Sequence, residues 1–357
     1  MAFAVEEKLS KRIISLRFLL IVFVVFIHNN PTEVNFATGT EIYNIPVYVS
    51  IVRELISNII ASVAVPLFFL ISGYLLYAKD EKFITVLKKK SRTILLPYII
   101  WNILAVLFFF TAQTFDFTKP YFANIIIRNF KPIDWIDVFV GKFTTGRQYQ
   151  YPLVYQFWFL RDLFILNLLF VGIKKLIDRF PFGTVFIFFL LWISGINICI
   201  VSTEALLFFS SGYYVVKYSL DYKAFDGIKI YDIITIYLLT IAGELFFREK
   251  LPIIHQINII IGSILLIKLT LYFINNERIY KRLEWLEKYA FFVYAVHGIL
   301  LAIMQKLSVR IIPMRGGWLL LQYFGVSIIG IIIFVIMGMI LRRLFPKIYG
   351  ILTGGRI

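Results

Sequence analysis

Leu16-Arg17-Phe18-Leu19-Leu20-Ile21-Val22-Phe23-Val24-Val25-Phe26-Ile27-His28 is the heart of the first apolar segment, and it carries an arginine near its start and a histidine at its end. A charged or titratable group inside such a run costs roughly 2.5 to 3.5 kcal/mol to insert, so each one is a functional hypothesis by default. Eleven helical steps of about 100° return the direction to within roughly 20°, which sets Arg17 and His28 on one face about 16 Å apart. The first helix therefore has a polar stripe.

The rest of the chain fits a bilayer. Of 357 residues, 60% are hydrophobic and only 16% charged, well away from the average of soluble domains. The net charge of +16 does not point to nucleic acid, because the basic residues lie in short links between apolar segments. Cys199 is the single cysteine, which excludes an intramolecular disulfide, a thiolate metal site and a redox pair. No glycine-rich phosphate loop, His-Glu-x-x-His or EF-hand spacing occurs, so neither nucleotide hydrolysis nor a metal site is expected. Ser72 and Ser211 precede glycines inside membrane segments, where a nucleophile elbow does not form.

A window of about 19 residues predicts ten spans, near 13–30, 56–78, 93–112, 156–174, 183–200, 203–218, 229–247, 253–274, 289–306 and 319–342. The sixth is the weakest, being short and holding Ser210, Ser211 and Gly212. The expected fold is an all-α polytopic membrane protein, a single integral-membrane domain over 1–357. Lys8, Lys11 and Arg12, the link from Lys79 to Arg92, then Lys174, Lys175 and Arg179, the link from Arg278 to Lys288, and Arg342, Arg343 and Lys347 mark one side. By the positive-inside rule that side is cytoplasmic, and an even span count puts both termini there. The opposite link of about 113–155 carries Lys119, Arg128, Lys131, Lys142 and Arg147 against the trend, but long loops weigh little in this rule. The first segment reads as a retained helix, since Asn29-Asn30-Pro31 follows it where a signal peptide would have small residues.

On this topology the outer helix ends gather chemistry. His28, Asn29 and Asn30 close the first span, Trp158, Arg161 and Asp162 open the fourth, and Glu244 ends the seventh. If they converge, an imidazole, an orienting carboxylate, an arginine and a tryptophan platform share a cavity, which is an acid–base site in outline. Each has a plainer reading: Trp158 as an interfacial aromatic, Arg161 with Asp162 as a local ion pair, Glu244 held by Arg248 one turn on. His297 lies near mid-membrane with Tyr294 one turn away as its natural partner, while His255 reads as solvated or interfacial. On the inner side, Ser72, Gly73, the Lys88-Lys89-Lys90 run and Arg92 offer a seat for a polyanion, or an ordinary basic anchor.

Taken in order, these segments resemble the membrane acyltransferase 3 family. The resemblance rests on Arg17 with His28, on Pro66-Leu67-Phe68-Phe69-Leu70-Ile71-Ser72-Gly73-Tyr74 followed by a basic link and Leu96-Pro97-Tyr98, on Phe157-Trp158-Phe159-Leu160, and on Val293-Tyr294-Ala295-Val296-His297. It spans about 13–342. It implies a ten-helix core in a bacterial cytoplasmic membrane, an acyl-CoA donor (acetyl-CoA in the simplest case) reached from the cytoplasm, and a cell-envelope saccharide or lipid-linked saccharide as acceptor. His28 would be the catalytic base, with Asp162 and His297 as further catalytic candidates. Arg17, Lys89, Arg92, Ser72 and Gly73 would hold the donor; Asn29, Trp158, Arg161, Glu244 and Tyr294 would line the acceptor cavity. The family's basic link usually holds two arginines three apart; Lys89 stands at the first position and keeps the charge without the bidentate fork.

Two other classes use the same ingredients. A transporter or flippase would use Arg17, His28 and His297 as a proton or substrate path, and its only repeat signal is the echo of Phe68–Tyr74 in Phe208–Tyr213. A polysaccharide polymerase would rely on the long outer link, but the order of motifs speaks against it.

Overall fold

The computed structural model describes residues 7–36, 39–122, 126–141, 151–196 and 200–356, so Lys142, Arg147 and Cys199 lie outside the described residues. Among the described residues, seven helical stretches are long and apolar enough to cross a membrane: Val47–Tyr77, Phe83–Ala112, Tyr155–Arg179, Ile230–Phe247, Ile253–Asn275, Glu277–Ser308 and Trp318–Leu344. The first predicted span forms helix α1, Glu7–His28, which stands outside that set because Lys11, Arg12 and Arg17 load its length with charge. An all-α membrane fold is what the chain adopts. The link after α1 departs from it, forming a hairpin of β1, Glu33–Phe36, and β2, Gly39–Ile42, with Glu33 opposite Ile42.

Two breaks in the helices follow from proline. After α2, Val47–Arg53, a π-helical stretch Glu54–Ile60 and a 3-10 turn Ala61–Val63 lead into α3, Ala64–Tyr77. Pro66 has no N–H to offer the carbonyl four residues back, and the tighter turn lies just there. Within the widened stretch the Ile59 carbonyl accepts from Asn258 Nδ2 at 3.2 Å and Ser62 Oγ at 2.6 Å. In the same way α4, Phe83–Lys90, passes through a π turn Ser91–Leu95 into α5, Leu96–Ala112, whose Pro97 strips Thr93 of its helical donor. The short α6, Lys119–Phe122, and α7, Pro132–Val140, occupy the long link before α8, Trp158–Arg179.

Helices α9, Pro181–Ile193, α10, Thr203–Lys217, α11, Ile230–Phe247, and α12, Ile253–Asn275, follow; then come α13, Glu277–Ser308, α14, Trp318–Leu344, and α15, Pro346–Leu352. The chain divides into two compact units, one of Met1–Val24, Leu55–Lys90 and Asp162–Ala290, the other of Val25–Glu54, Ser91–Arg161 and Phe291–Ile357. The lipid-suited surface is visible on α14, where Ile328, Ile329, Ile332, Ile336 and Ile340 are all exposed. An apolar exposed stripe is stable only in contact with hydrocarbon or another protein.

The first unit is keyed on two glycines. A Cβ at Gly73 of α3 would sit 2.1 Å from the Phe209 carbonyl oxygen, and one at Gly212 of α10 would sit 2.3 Å from the Tyr74 nitrogen. The two echoing sequences thus pack on each other, backbone against backbone. Tyr77 meets Tyr213 at 4.6 Å between ring centroids and Tyr77 meets Phe209 at 5.8 Å, so contacts advance along both helices together and the pair runs parallel. Close approach of this kind needs residues without a side chain. Gly73→Ala should therefore lower stability by about 1 to 3 kcal/mol through overpacking. Gly172→Ala, at an exposed position with nothing within 4 Å, should leave it unchanged or slightly raised. Thermal unfolding of both variants in detergent, followed by size-exclusion of the folded fraction, checks the contrast.

Candidate active site

The end of α1 is fixed by the residue after His28. Asn29 is fully buried and donates from Nδ2 to the Tyr323 carbonyl at 2.8 Å and to Ser327 Oγ at 3.0 Å, while its Oδ1 accepts from Gln305 Nε2 at 2.9 Å. Gln305 Nε2 also reaches the His28 carbonyl at 3.4 Å, meeting part of the need of a helix C-terminus for donors. Phe26 packs edge-on against Tyr323 at 5.5 Å. The backbone beneath His28 is held by α13 and α14.

The His28 ring lies among other rings. It stacks on His297 with centroids 5.2 Å apart and 30° between planes, and it meets Tyr155 edge-on at 4.9 Å. His297 is fully buried in α13 and its Nδ1 lies 2.7 Å from the Tyr294 carbonyl oxygen. A carbonyl only accepts, so Nδ1 carries the proton and Nε2 is the lone-pair nitrogen of the neutral ring. That Nε2 is buried and has no hydrogen-bond partner among the described residues.

Gly298 explains how a loop can approach the histidines. A Cβ there would lie 2.1 Å from Gln156 Oε1, and the space is filled by the Gln156 amide, whose Nε2 donates to the Ala295 carbonyl at 3.2 Å. Tyr294 donates its hydroxyl to the Gln156 carbonyl at 2.8 Å and stacks on Phe157 at 5.6 Å. These contacts lock the turn Tyr155–Phe157 onto α13 and so set Tyr155 beside His28.

A cavity of about 350 Å³ opens at His28. Its polar wall comes from Asn30, Glu33, Asn35, Tyr155, Gln305 and Lys306, and Leu301 and Ala302 form part of its apolar floor. Strand β1 supplies Glu33, Val34 and Asn35 to the lining. Lys306 is held by the Tyr121 carbonyl and lies 5.0 Å from the Phe122 ring centroid. Amides, a carboxylate and a phenol around an imidazole suit a ligand rich in hydroxyl groups.

The predicted residues are partly gathered. His28, His297 and Tyr294 come together, although Tyr294 serves His297 through its carbonyl rather than its phenol. Asn29, expected in the cavity, is instead a buried clamp, and its neighbour Asn30 lines the cavity. The others have local partners. Arg161 donates to the Val140 carbonyl at 2.8 Å, and Asp162 accepts the Ser202 N–H at 2.9 Å at the start of α10. Trp158 is half-buried beside Phe159, with ring centroids 6.5 Å apart. Glu244 is buried and bound by Arg248 at 3.5 Å, as the one-turn spacing suggests. It also receives His255 Nδ1 at 2.6 Å, a partner for His255 beyond the solvated or interfacial setting expected of it.

Of the residues expected to hold the donor, Arg17 is engaged by Glu287 at 2.7 Å and Lys89 by Glu81 at 3.1 Å, both pairs partly open to solvent. Arg92 is exposed in its π turn, Ser72 is half-buried, and the role visible for Gly73 is packing. Sequence reasoning missed Tyr155, Gln156 and Gln305. The signal available was thin: Tyr155-Gln156 directly precedes Phe157-Trp158, and Gln305 follows His297 on one face of α13.

The curated protein most informative for comparison is the succinoglycan biosynthesis protein ExoH of Rhizobium meliloti (strain 1021), to which the chain is 26% identical over 368 residues, covering 98% of this chain and 94% of that one. No solved structure gives a significant match. The model of the acyltransferase domain of the acyltransferase 3 family matches residues 11–343. With a membrane-suited helical fold and that match over nearly its whole length, the chain belongs to the acyltransferase 3 family.

Proposed function

We propose that this membrane acyltransferase moves an acyl group, acetyl in the simplest case, from acyl-CoA to a hydroxyl of a cell-envelope saccharide, with His28 as general base. The observation that carries this reading is the polar cavity of about 350 Å³ with His28 in its wall. The relative named for succinoglycan biosynthesis supports a polysaccharide acceptor. In the topology read from the basic links, both ends of the chain are cytoplasmic and the cavity lies at the outer side of a bacterial cytoplasmic membrane.

The reaction needs one proton moved and one bond exchanged. The acceptor hydroxyl gives its proton to the lone-pair nitrogen of His28 as its oxygen attacks the thioester carbonyl. The tetrahedral oxyanion collapses, the C–S bond breaks, and the proton returns from His28 to the departing CoA thiolate. Asn29, Arg161 and Tyr294, the polar groups expected in the cavity, donate to Tyr323, Val140 and Gln156. Tyr155 takes the oxyanion role in their place, since it lines the cavity against His28 and its hydroxyl donates to no described residue. His297 acts as a positioning residue: with its Nδ1 proton tied to Tyr294, its ring gives His28 a fixed face to stack on. Arg17, Lys89 and Arg92 supply charge for the CoA phosphates on the inner side.

Membranes containing the protein, given acetyl-labelled CoA and a cell-envelope glycan extract, should pass label to the glycan. His28→Gln should lower that rate by about 10²- to 10⁴-fold, the usual worth of a general base; equal transfer by parent and variant would remove His28 from the chemistry. His297→Asn retains a donor for the Tyr294 carbonyl but removes the stacking ring. It should cut kcat between about 10- and 10²-fold through misplacement of His28, with KM for acetyl-CoA unchanged, as initial-rate measurements at varied donor would reveal.

A further inference from the structure

Pro97 leaves a backbone carbonyl of the donor-side turn without its helical partner. In a regular helix the Thr93 carbonyl would accept from residue 97, but proline has no N–H and its ring would press on that carbonyl. The chain widens into the π turn Ser91–Leu95, which carries Arg92 next to Thr93. What meets the freed oxygen is the segment after α15: Arg356 Nη1 donates to the Thr93 carbonyl at 3.2 Å.

That segment is built for the contact. The Gly355 N–H bonds to the Gly350 carbonyl at 2.7 Å and the Gly354 N–H to that of Ile351 at 3.3 Å, the paired bonds of a Schellman helix stop. Gly354 and Gly355 take φ of 66° and 82°, a region that suits glycine. A Cβ on Gly354 would also lie 2.4 Å from the Thr93 oxygen. Steric room and backbone hand thus both call for glycine there. The Arg356 guanidinium lies over the Phe291 ring at 4.4 Å and bonds to the Thr353 carbonyl at 2.5 Å. Trp101 Nε1 secures the preceding turn through the Leu352 carbonyl at 3.0 Å.

We propose that Gly354, Gly355 and Arg356 form a brace that holds the Ser91–Leu95 turn open and so positions Arg92 for the phosphates of the acyl-CoA donor. This rests on the reading of Arg92 as a donor-binding residue. The brace touches no substrate; it acts through the Thr93 carbonyl. Loss of the Arg356 bond lets the turn relax and weakens donor binding, while the acceptor cavity at His28 keeps its own supports.

The test is equilibrium binding of CoA to the purified full chain in detergent by calorimetry, together with KM for acetyl-CoA and for the glycan acceptor. Arg92→Ala, Arg356→Gln, Arg356→Lys and Gly354→Val are compared with the parent. Arg356→Gln should weaken CoA by about tenfold, in line with the loss of one charge-assisted bond. Arg356→Lys should recover part of this, Gly354→Val should weaken CoA at least as much as Arg356→Gln, and the acceptor KM should not move. Arg356 is exposed, so its variants should keep the parent's thermal unfolding profile. If Arg92→Ala weakens CoA but the Arg356 variants bind as the parent does, the brace is wrong and the donor reading stands. If the parent binds no CoA, or Arg92→Ala changes nothing, the donor reading fails and the brace fails with it.

Discussion

A polar group carried into hydrocarbon must find its partner inside the protein, because no water is available to replace one. Helix α1 meets that demand at several points. Arg12 is buried and bound by Asp226 at 2.5 Å, Ser15 Oγ donates to the Arg12 carbonyl at 2.8 Å, and Arg17 is bound by Glu287 at 2.7 Å. Beyond them, Asn29 is clamped between Tyr323, Ser327 and Gln305. His28 is the different one, with ring neighbours on two sides and a cavity in front. Of Arg12, Ser15, Arg17, His28 and Asn29, His28 alone lines that cavity.

The motifs behind the family resemblance have architectural work beside their chemical reading. Pro66 and Pro97 lie where regular helix gives way to 3-10 and π turns, and Arg356 donates to the Thr93 carbonyl four residues before Pro97. Gly73 and Gly212 let two backbones touch. A motif residue can thus be essential without meeting a substrate, and loss of activity on changing Gly73 would say nothing about the donor. His28 does not carry this ambiguity, since its ring bears no hydrogen bond on which the fold depends.

The fold was largely legible because apolar length and basic links are local properties of sequence. The sixth predicted span is weakly apolar for a physical reason: α10 buries Ser210, Gly212 and Tyr213 against other helices, and such faces need small and polar residues rather than lipid-suited ones. The hairpin was not legible, since its strands carry one buried residue, Val34, between exposed ones. At the site, Arg17 and His28 stood out because each is expensive where it stands. Tyr155, Gln156 and Gln305 did not, because their meaning comes from contacts with residues far away in sequence. Asp162 and Glu244 have partners of their own, at Ser202 and at Arg248 with His255, which the sequence showed only for the Glu244–Arg248 pair.

The proposed acyl transfer depends on an imidazole nitrogen taking a proton at one place in the cavity. Chemical rescue reads that directly. In His28→Ala the lost ring leaves a space open to the cavity, which free imidazole can enter. Acetyl transfer to the glycan should then rise in a saturable way with imidazole concentration in His28→Ala, with no such rise for the parent. A variant that transfers at the parent's rate without imidazole would contradict the account, and so would one that stays inactive with imidazole while folded and able to bind CoA.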